Sequence, residues 1–345
     1  MTTDVLSNVW YVLALSEEVS KKKPISKVLL GQPVVLYRDQ SGKAVALRDL
    51  CPHRGIPLSY GRIVEDEVEC PYHGWRFDKE GTCTVIPALC EGQNLDCRKI
   101  KIRRYLTHEQ AGLVWVYTGD DRKENPATIP FPELTGLRNL KRRVTMVEHF
   151  PCHIDHAVIG LMDPAHGPYV HKSFLWRSEK TMIQKKKKFA PVDFGFQMVK
   201  HPPSANSKAY KIFGGAPTTE ITFQLPSTRV EHIQAGKNNF FSFTALTPVD
   251  EKNTLIFQIV YWDIGWLGLI KPFIKWFARY FLFQDINVVA KQQDGLKYDP
   301  TLMLINDSDT QAKWYYALKS EWFKSAQENR TFVNPVKETE LRWRS

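Results

Sequence analysis

The sequence has no uninterrupted hydrophobic run long enough to span a bilayer. Its most apolar stretch, Ile264 to Phe283, is broken by Lys271, Lys275 and Arg279. Charges at four-residue intervals form a basic stripe on one helical face, the pattern of an amphipathic helix that covers a core or lines a channel. The N-terminus shows no basic segment followed by an apolar one, so no secretory signal is expected. Cysteine is scarce, six in 345 residues, with no Cys-x-x-Cys pair, which excludes a disulfide framework and fits a reducing, cytoplasmic setting. There is no internal repeat, no low-complexity tract beyond the lysines Lys185 to Lys188, and no nucleic-acid-binding motif.

What is present is the composition of a globular protein, 43% hydrophobic and 24% charged, with enough chain for two domains that each bury a core. The net charge of +10 is lopsided: Lys and Arg exceed Asp and Glu by one in residues 1–120 and by nine in the remainder. Such an excess either steers an acidic redox partner or an anionic substrate, or is a solvated face.

The first third reads as short strands between turns: Val9–Leu15, Val28–Leu30, Pro33–Tyr37, Ala44–Asp49, Glu67–Glu69, and a last one within Ala111–Tyr117. The Pro-rich and charged stretch that follows looks like a connector. Residues 150–172 have a helical context. Three β-type runs come next, Thr218–Leu225, Asn239–Leu246 and Thr254–Trp262, with a turn at Asp250–Asn253, and then a helix from about Trp266 to Gln293. Strands and helices in separate blocks indicate an α+β protein with an antiparallel sheet.

Two constellations carry chemistry. In the first, Cys51-Pro-His53-Arg54-Gly55 is followed by Cys70-Pro-Tyr-His73-Gly74-Trp75. Two Cys and two His can complete a zinc tetrahedron, although zinc sites usually group Cys with Cys and His with His. One thiolate and one imidazole per loop instead suits a [2Fe–2S] cluster with two His on one iron and two Cys on the other. Glycine and proline fit loops whose backbone amides closely approach the cluster.

In the second, Asp163-Pro-Ala-His166 precedes His171. On an unbroken helix residues five apart point about 140° away from each other, too far to share a metal. Gly167-Pro168 relieves this by ending or kinking the helix. Two His with a distant carboxylate make the facial triad of a non-haem Fe(II) oxygenase. His153, Asp155 and His156 form a rival group, and Asp263 and Asp294 are weaker candidates for the carboxylate. His108, His149, His201 and His232 have no partner pattern.

Cys-x-His-Arg-Gly followed by Cys-Pro-Tyr-His-Gly-Trp-x-Phe-Asp resembles the Rieske domain of ring-hydroxylating oxygenases, over roughly residues 8–119. The Asp-x-x-His-x(4)-His motif resembles the iron site of the same Rieske-type non-haem iron oxygenases. The resemblance implies an N-terminal antiparallel β Rieske domain (1–120), a connector (121–139), and a helix-grip catalytic domain with an antiparallel sheet (140–345). It implies a [2Fe–2S] cluster on Cys51, His53, Cys70 and His73, and mononuclear Fe(II) on His166, His171 and Asp285. Asp163 then bridges a cluster histidine of one subunit to His166 of its neighbour in a head-to-tail homotrimer.

An external ferredoxin or flavin reductase supplies electrons, with O2 and a small apolar or aromatic molecule as substrates. Hydroxylation or oxidative demethylation is favoured over aromatic cis-dihydroxylation, because the chain is short and looks self-sufficient. In a different class, a Rieske electron-transfer protein would lack the second motif. Two details depart from or narrow the resemblance. Many members carry Asn three or four residues before the motif Asp, where this sequence has Gly160 and Ile159. The Asp-Pro-Ala-His wording is similar to chlorophyll-catabolic oxygenases of plastids, but their Cys-x-x-Cys and membrane segments are not found here, so that subgroup is not assigned.

Overall fold

A computed structural model describes residues 4–120, 131–132, 134, 136–137, 142–171, 178–205 and 216–345; the connector expected at 121–139 lies mostly outside them. The chain divides into two compact units, Ser7–Phe131 and one built mainly from Pro132–Ser345.

The first unit holds three small antiparallel sheets. Each expected strand is present within a few residues, from Trp10–Leu15 to Leu113–Tyr117. Strands Ile25–Leu29 and Gln32–Arg38 are joined by Leu30 and Gly31, both at positive φ (53° and 70°). That is the two-residue hairpin whose twist matches the flanking strands, which is why glycine sits there. Val35, Tyr37, Val45, Leu47, Val68 and Phe77 form a core into which Cys51 and Cys70 project. The cluster motifs therefore emerge from a packed, rigid floor.

The second unit is an eight-stranded antiparallel sheet in the order Arg142–Phe150, Thr254–Trp262, Asn238–Pro248, Thr228–Ala235, Thr218–Gln224, Gly195–His201, Gln184–Val192 and Thr339–Arg344. Among the described residues four helices accompany it: α1 (Ile154–Met162), α2 (Gly167–Val170), α3 (Lys271–Leu296) and α4 (Thr310–Gln327). Strand pairing sets Met146, Gln258, Thr244, Arg229, Phe223 and Phe196 side by side in one row of the sheet. At one end of that face, Ile270, Ile274 and Ala278 pack on Val144, Met146, Val260 and Trp262. At the other, Trp314 and Tyr315 of α4 meet Phe196 and Phe223. Both long helices thus grip the same face, and α1 touches both of them. The α+β class and the large antiparallel sheet are as expected.

The sheet is larger than the sequence reading made it. The lysine run is not a bare charged tract but part of the strand Gln184–Val192, which the edge strand Thr339–Arg344 covers, with Lys185 buried against Ser345 (Nζ to Oγ, 2.7 Å) and Lys186 paired with Glu340 (2.7 Å). Between the first two of the three β runs lies a fourth strand, Thr228–Ala235. The expected long helix is a single 3₁₀ turn at Gly265–Gly268 followed by α3. Only part of this stretch covers the core: Trp266 and Leu269 at the turn, and Phe273, Trp276 and Tyr280 on α3, are exposed.

Candidate functional site

The two Cys-His loops are built alike. In each, the cysteine N–H donates to the carbonyl five residues on, Cys51 to Ile56 (2.9 Å) and Cys70 to Trp75 (2.8 Å). In each, the glycine four residues on returns its N–H to the cysteine carbonyl, Gly55 at 2.8 Å and Gly74 at 3.1 Å. Both glycines have positive φ (72° and 69°), which side-chain-bearing residues adopt only with strain. At Gly74 an added Cβ would also lie 3.0 Å from Pro87 Cγ. The Cys-x-x-x-Gly spacing thus closes each loop on itself. The second loop is the tip of a hairpin, since Glu69 pairs with Arg76.

Within these loops the four side chains converge. The His53 and His73 rings are 4.5 Å apart, Trp75 stacks flat on His53 (4.7 Å, 5°), and Tyr72 lies against His73 (3.9 Å). Cys51 and Cys70 are buried and unoxidised. Burial, with the Cys70 thiol adjacent, pushes the Cys51 thiol up to about 11. Loss of surrounding water, then the His73 and Arg54 charges, hold His53 below its ordinary value and so neutral. His53 Nδ1 is buried with no hydrogen-bond partner. A buried nitrogen without a partner is costly unless something takes its lone pair, and two thiols with two imidazoles make the donor set of a His₂Cys₂ iron–sulfur cluster.

The second constellation has a different local construction from the one expected. α1 ends at Asp163, whose extended conformation (φ −64°, ψ 118°) is the one that the following Pro164 enforces. Gly167-Pro168 does not end that helix. It opens the separate single turn α2, with proline in the first turn where its missing N–H costs nothing. His166 and His171 bracket this turn, and the residue spacing that would oppose them on one long helix brings them together. Their Nε2 atoms are 3.1 Å apart.

Asp285, from α3, completes a triangle: its Oδ1 lies 3.1 Å from His171 Nε2 and 3.6 Å from His166 Nε2. Three ligand atoms bound at right angles to one metal, with bonds of about 2.1 Å, stand about 3 Å apart. Among the described residues this is the group of metal-capable side chains that meets the distance requirement. Behind the triangle, Asp163 Oδ2 is 3.5 Å from His166 Nδ1, while Asp163 Oδ1 accepts the Ala165 N–H at 2.7 Å. Burial opposes charge on His166, but Asp163 and then Asp285 outweigh it and raise its pKa above 6.5.

The remaining candidates go elsewhere. His153 caps α1, its Nδ1 accepting the Asp155 N–H (3.2 Å). Asp155 is bound by Lys319 Nζ (2.7 and 2.9 Å) and the Tyr315 hydroxyl (2.6 Å), so the rival group is spoken for. Asp263 holds Asn239, and Asp294 is a solvated partner of Lys297. His232, read as ordinary, lies between Glu220 Oε1 (2.9 Å) and Asn239 Oδ1 (3.0 Å). The sequence reading missed two neighbours of His171: Phe281, stacked on its ring at 3.4 Å, and Gln284, whose Oε1 is 3.0 Å from its Nδ1. Their only signal is position, within one turn of Asp285.

Residues 9–101 match the Rieske [2Fe-2S] domain and residues 150–314 the vanillate O-demethylase oxygenase C-terminal domain. The chain is 38% identical over 168 residues to the oxygenase component of dicamba O-demethylase from Stenotrophomonas maltophilia, covering 48% of each. It is 34% identical over 310 residues to chlorophyllide a oxygenase from Chlamydomonas reinhardtii, covering 84% of this chain and 44% of that one. The matches span about half the length of these curated relatives. The crystal structure of dicamba monooxygenase bound to dicamba superposes with a TM-score of 0.75 at 25% identity, over 93% of this chain and 98% of that one. No helix among the described residues is long and apolar enough to cross a membrane. Both family matches fall on the two constellations in the same order along one polypeptide, and the fold matches over 93% of this chain. The chain therefore belongs to the Rieske-type non-haem iron oxygenases, with a Rieske [2Fe–2S] cluster and a mononuclear iron as its cofactors.

Proposed function

We propose that the protein uses O2 and electrons from an external ferredoxin or flavin reductase to hydroxylate or oxidatively demethylate a small molecule with an apolar or aromatic body. Cys51, His53, Cys70 and His73 hold the cluster; His166, His171 and Asp285 hold the iron. The observation that carries this reading is the ligand triangle of 3.1, 3.1 and 3.6 Å in a chain that also bears the two matched Cys-His loops. The demethylase and monooxygenase relatives support monooxygenation.

When bound, the cluster supplies single electrons and the iron supplies the site for O2. The chain's own residues do the rest. Asp163 keeps the Nδ1 proton of His166 in place, which leaves Nε2 as the lone-pair donor. In the family's head-to-tail homotrimer the same carboxylate reaches a cluster histidine of the neighbouring subunit, which gives Asp163 its role in electron delivery. On the sheet face that the helices grip, Thr244 donates to Gln258 (2.6 Å) and Gln258 to Ser242 (2.6 Å), beside the Arg229–Glu231 pair (3.3 Å). This polar centre in an otherwise apolar face suits a substrate whose apolar body carries a hydrogen-bonding group.

Metal analysis tests the reading. The purified protein is expected to contain about three irons and two acid-labile sulfides per chain. Asp285→Ala should lower the mononuclear iron by at least about tenfold and leave the cluster absorption unchanged. Retention of the third iron in that variant would place the carboxylate ligand elsewhere.

A pH dependence follows from His166. Its charged form is stabilised, and a proton and Fe(II) compete for the same nitrogen. Iron affinity is full above the raised pKa and falls as pH drops through it. Chelator competition between about pH 8 and pH 5.5 should show the loss beginning above the ordinary imidazole value of about 6.5.

A further inference from the structure

One face and both ring nitrogens of His171 are met by neighbouring residues of α3. Phe281 stacks on the ring (3.4 Å between centroids, 17° between planes), and Gln284 meets Nδ1 at 3.0 Å. Asp285, the next residue, faces Nε2 at 3.1 Å. His171 is 3% exposed, so water cannot replace the Gln284 contact.

The chemistry of that contact is directional. An amide oxygen only accepts, so its partner must be an Nδ1–H, and a neutral imidazole protonated there carries its lone pair on Nε2. Turning the amide over would present its NH₂ to Nδ1 and force the proton onto Nε2, pointing into the triangle. The two histidines are therefore backed differently. His166 has the carboxylate of Asp163 behind it at 3.5 Å, and His171 has a neutral amide. A carboxylate behind an imidazole makes it a more basic ligand, and an amide fixes its orientation without adding charge.

We propose that Gln284 is the positioning residue of His171: it selects the Nδ1–H tautomer, fixes the ring angle, and by its neutrality keeps the negative charge behind the iron confined to the Asp163 side. The inference rests on the reading that His166, His171 and Asp285 hold the iron. A glutamate at 284 would put a second carboxylate next to Asp285 and make both histidines electron-rich.

The test uses the full-length holoenzyme with Gln284→Leu, Gln284→Asn and Gln284→Glu. Iron affinity is read by chelator competition, and ligand geometry by electron paramagnetic resonance of the mononuclear iron with nitric oxide as probe. Gln284→Leu and Gln284→Asn, which remove the acceptor or withdraw it by one methylene, should weaken iron binding about 10–100-fold and replace one nitric oxide signal by several. Gln284→Glu, which restores an acceptor, should recover the affinity and the single signal while lowering the reduction potential of the mononuclear iron. All three should keep the wild-type cluster spectrum, and the Asn and Glu variants guard against a Leu variant that fails to fold. Affinity within twofold of wild type and an unchanged signal in Gln284→Asn would overturn the proposal. If Asp285→Ala loses iron while the Gln284 variants keep it, only the positioning role falls. If Asp285→Ala keeps iron, the underlying reading falls.

Discussion

Asp163→Asn is expected to keep the cluster and the fold, to bind the mononuclear iron more weakly, and, once loaded with iron, still to lose turnover by about 10–100-fold or more. The two oxygens of Asp163 have separable duties. Oδ1 accepts the Ala165 N–H at 2.7 Å and fixes the backbone where α1 gives way to Pro164. Oδ2 stands 3.5 Å from His166 Nδ1. Asparagine can still accept from Ala165 through its amide oxygen, so the local turn survives. Its NH₂ then faces His166 Nδ1, where donor meets donor, and the histidine loses both its charge partner and its tautomer preference. Asp163→Ala removes both duties and should add a loss of stability of about 1 kcal/mol, typical for a lost side-chain cap. Chemically reduced protein mixed with O2 and scored for the rate at which cluster absorption returns gives the measurement. Wild-type rates in the Asn variant would mean that electrons do not pass by way of Asp163.

The parts of this site that were legible in the sequence are those in which one short segment carries its own geometry. Cys51 to Gly55 and Cys70 to Gly74 close on themselves through two backbone hydrogen bonds each, so ligand, turn glycine and spacing are all local. His166 and His171 were legible for the same reason, although the local cause was mistaken. The spacing predicts that proline breaks the helix between them, whereas Pro164 ends one helix and Pro168 begins the next. Asp285 lies more than a hundred residues away, and nothing near it marks it as a ligand. Only the resemblance to a family pointed there.

What stayed hidden has a common physical cause, which is polar residues on faces that strand and helix rules expect to be apolar. Thr228–Ala235 turns Arg229, Glu231 and Ile233 toward the gripped face, so its alternation does not read as hydrophobic-in, polar-out. α4 buries Gln311, Lys319 and Ser325 together with Ala312, Tyr315 and Leu318, which blurs its helical period. The lysine run forms a strand because its neighbour at the C-terminus supplies a hydroxyl and a carboxylate for it. In each case tertiary partners far along the chain license the residue. A reading confined to local pattern has no access to them.

The buried lysine of α4 carries the other large expected effect. Lys319→Ala should destabilise the catalytic unit by about 3–5 kcal/mol, because it leaves the Asp155 carboxylate uncompensated in the interior. Lys319 is 1% exposed and Asp155 5%, and the ammonium donates to both carboxylate oxygens at 2.7 and 2.9 Å. The Tyr315 hydroxyl adds a third bond at 2.6 Å. This pair ties α4 to the first turn of α1, the helix whose other end carries Asp163. Removing one partner costs more than the pair itself contributes. Replacing both by apolar residues, Asp155→Leu with Lys319→Met, should therefore recover most of the stability lost in the single variant. Denaturant titration followed by far-ultraviolet circular dichroism, with cluster absorption as an independent signal for the first unit, separates the two transitions. A loss below about 1 kcal/mol in Lys319→Ala would show that water reaches Asp155 and that the pair is not a buried tie. The expected loss would mean that the iron ligands borrow their placement from a charge pair on the far end of α1. Iron content should then fall in Lys319→Ala at temperatures where the double variant still retains it.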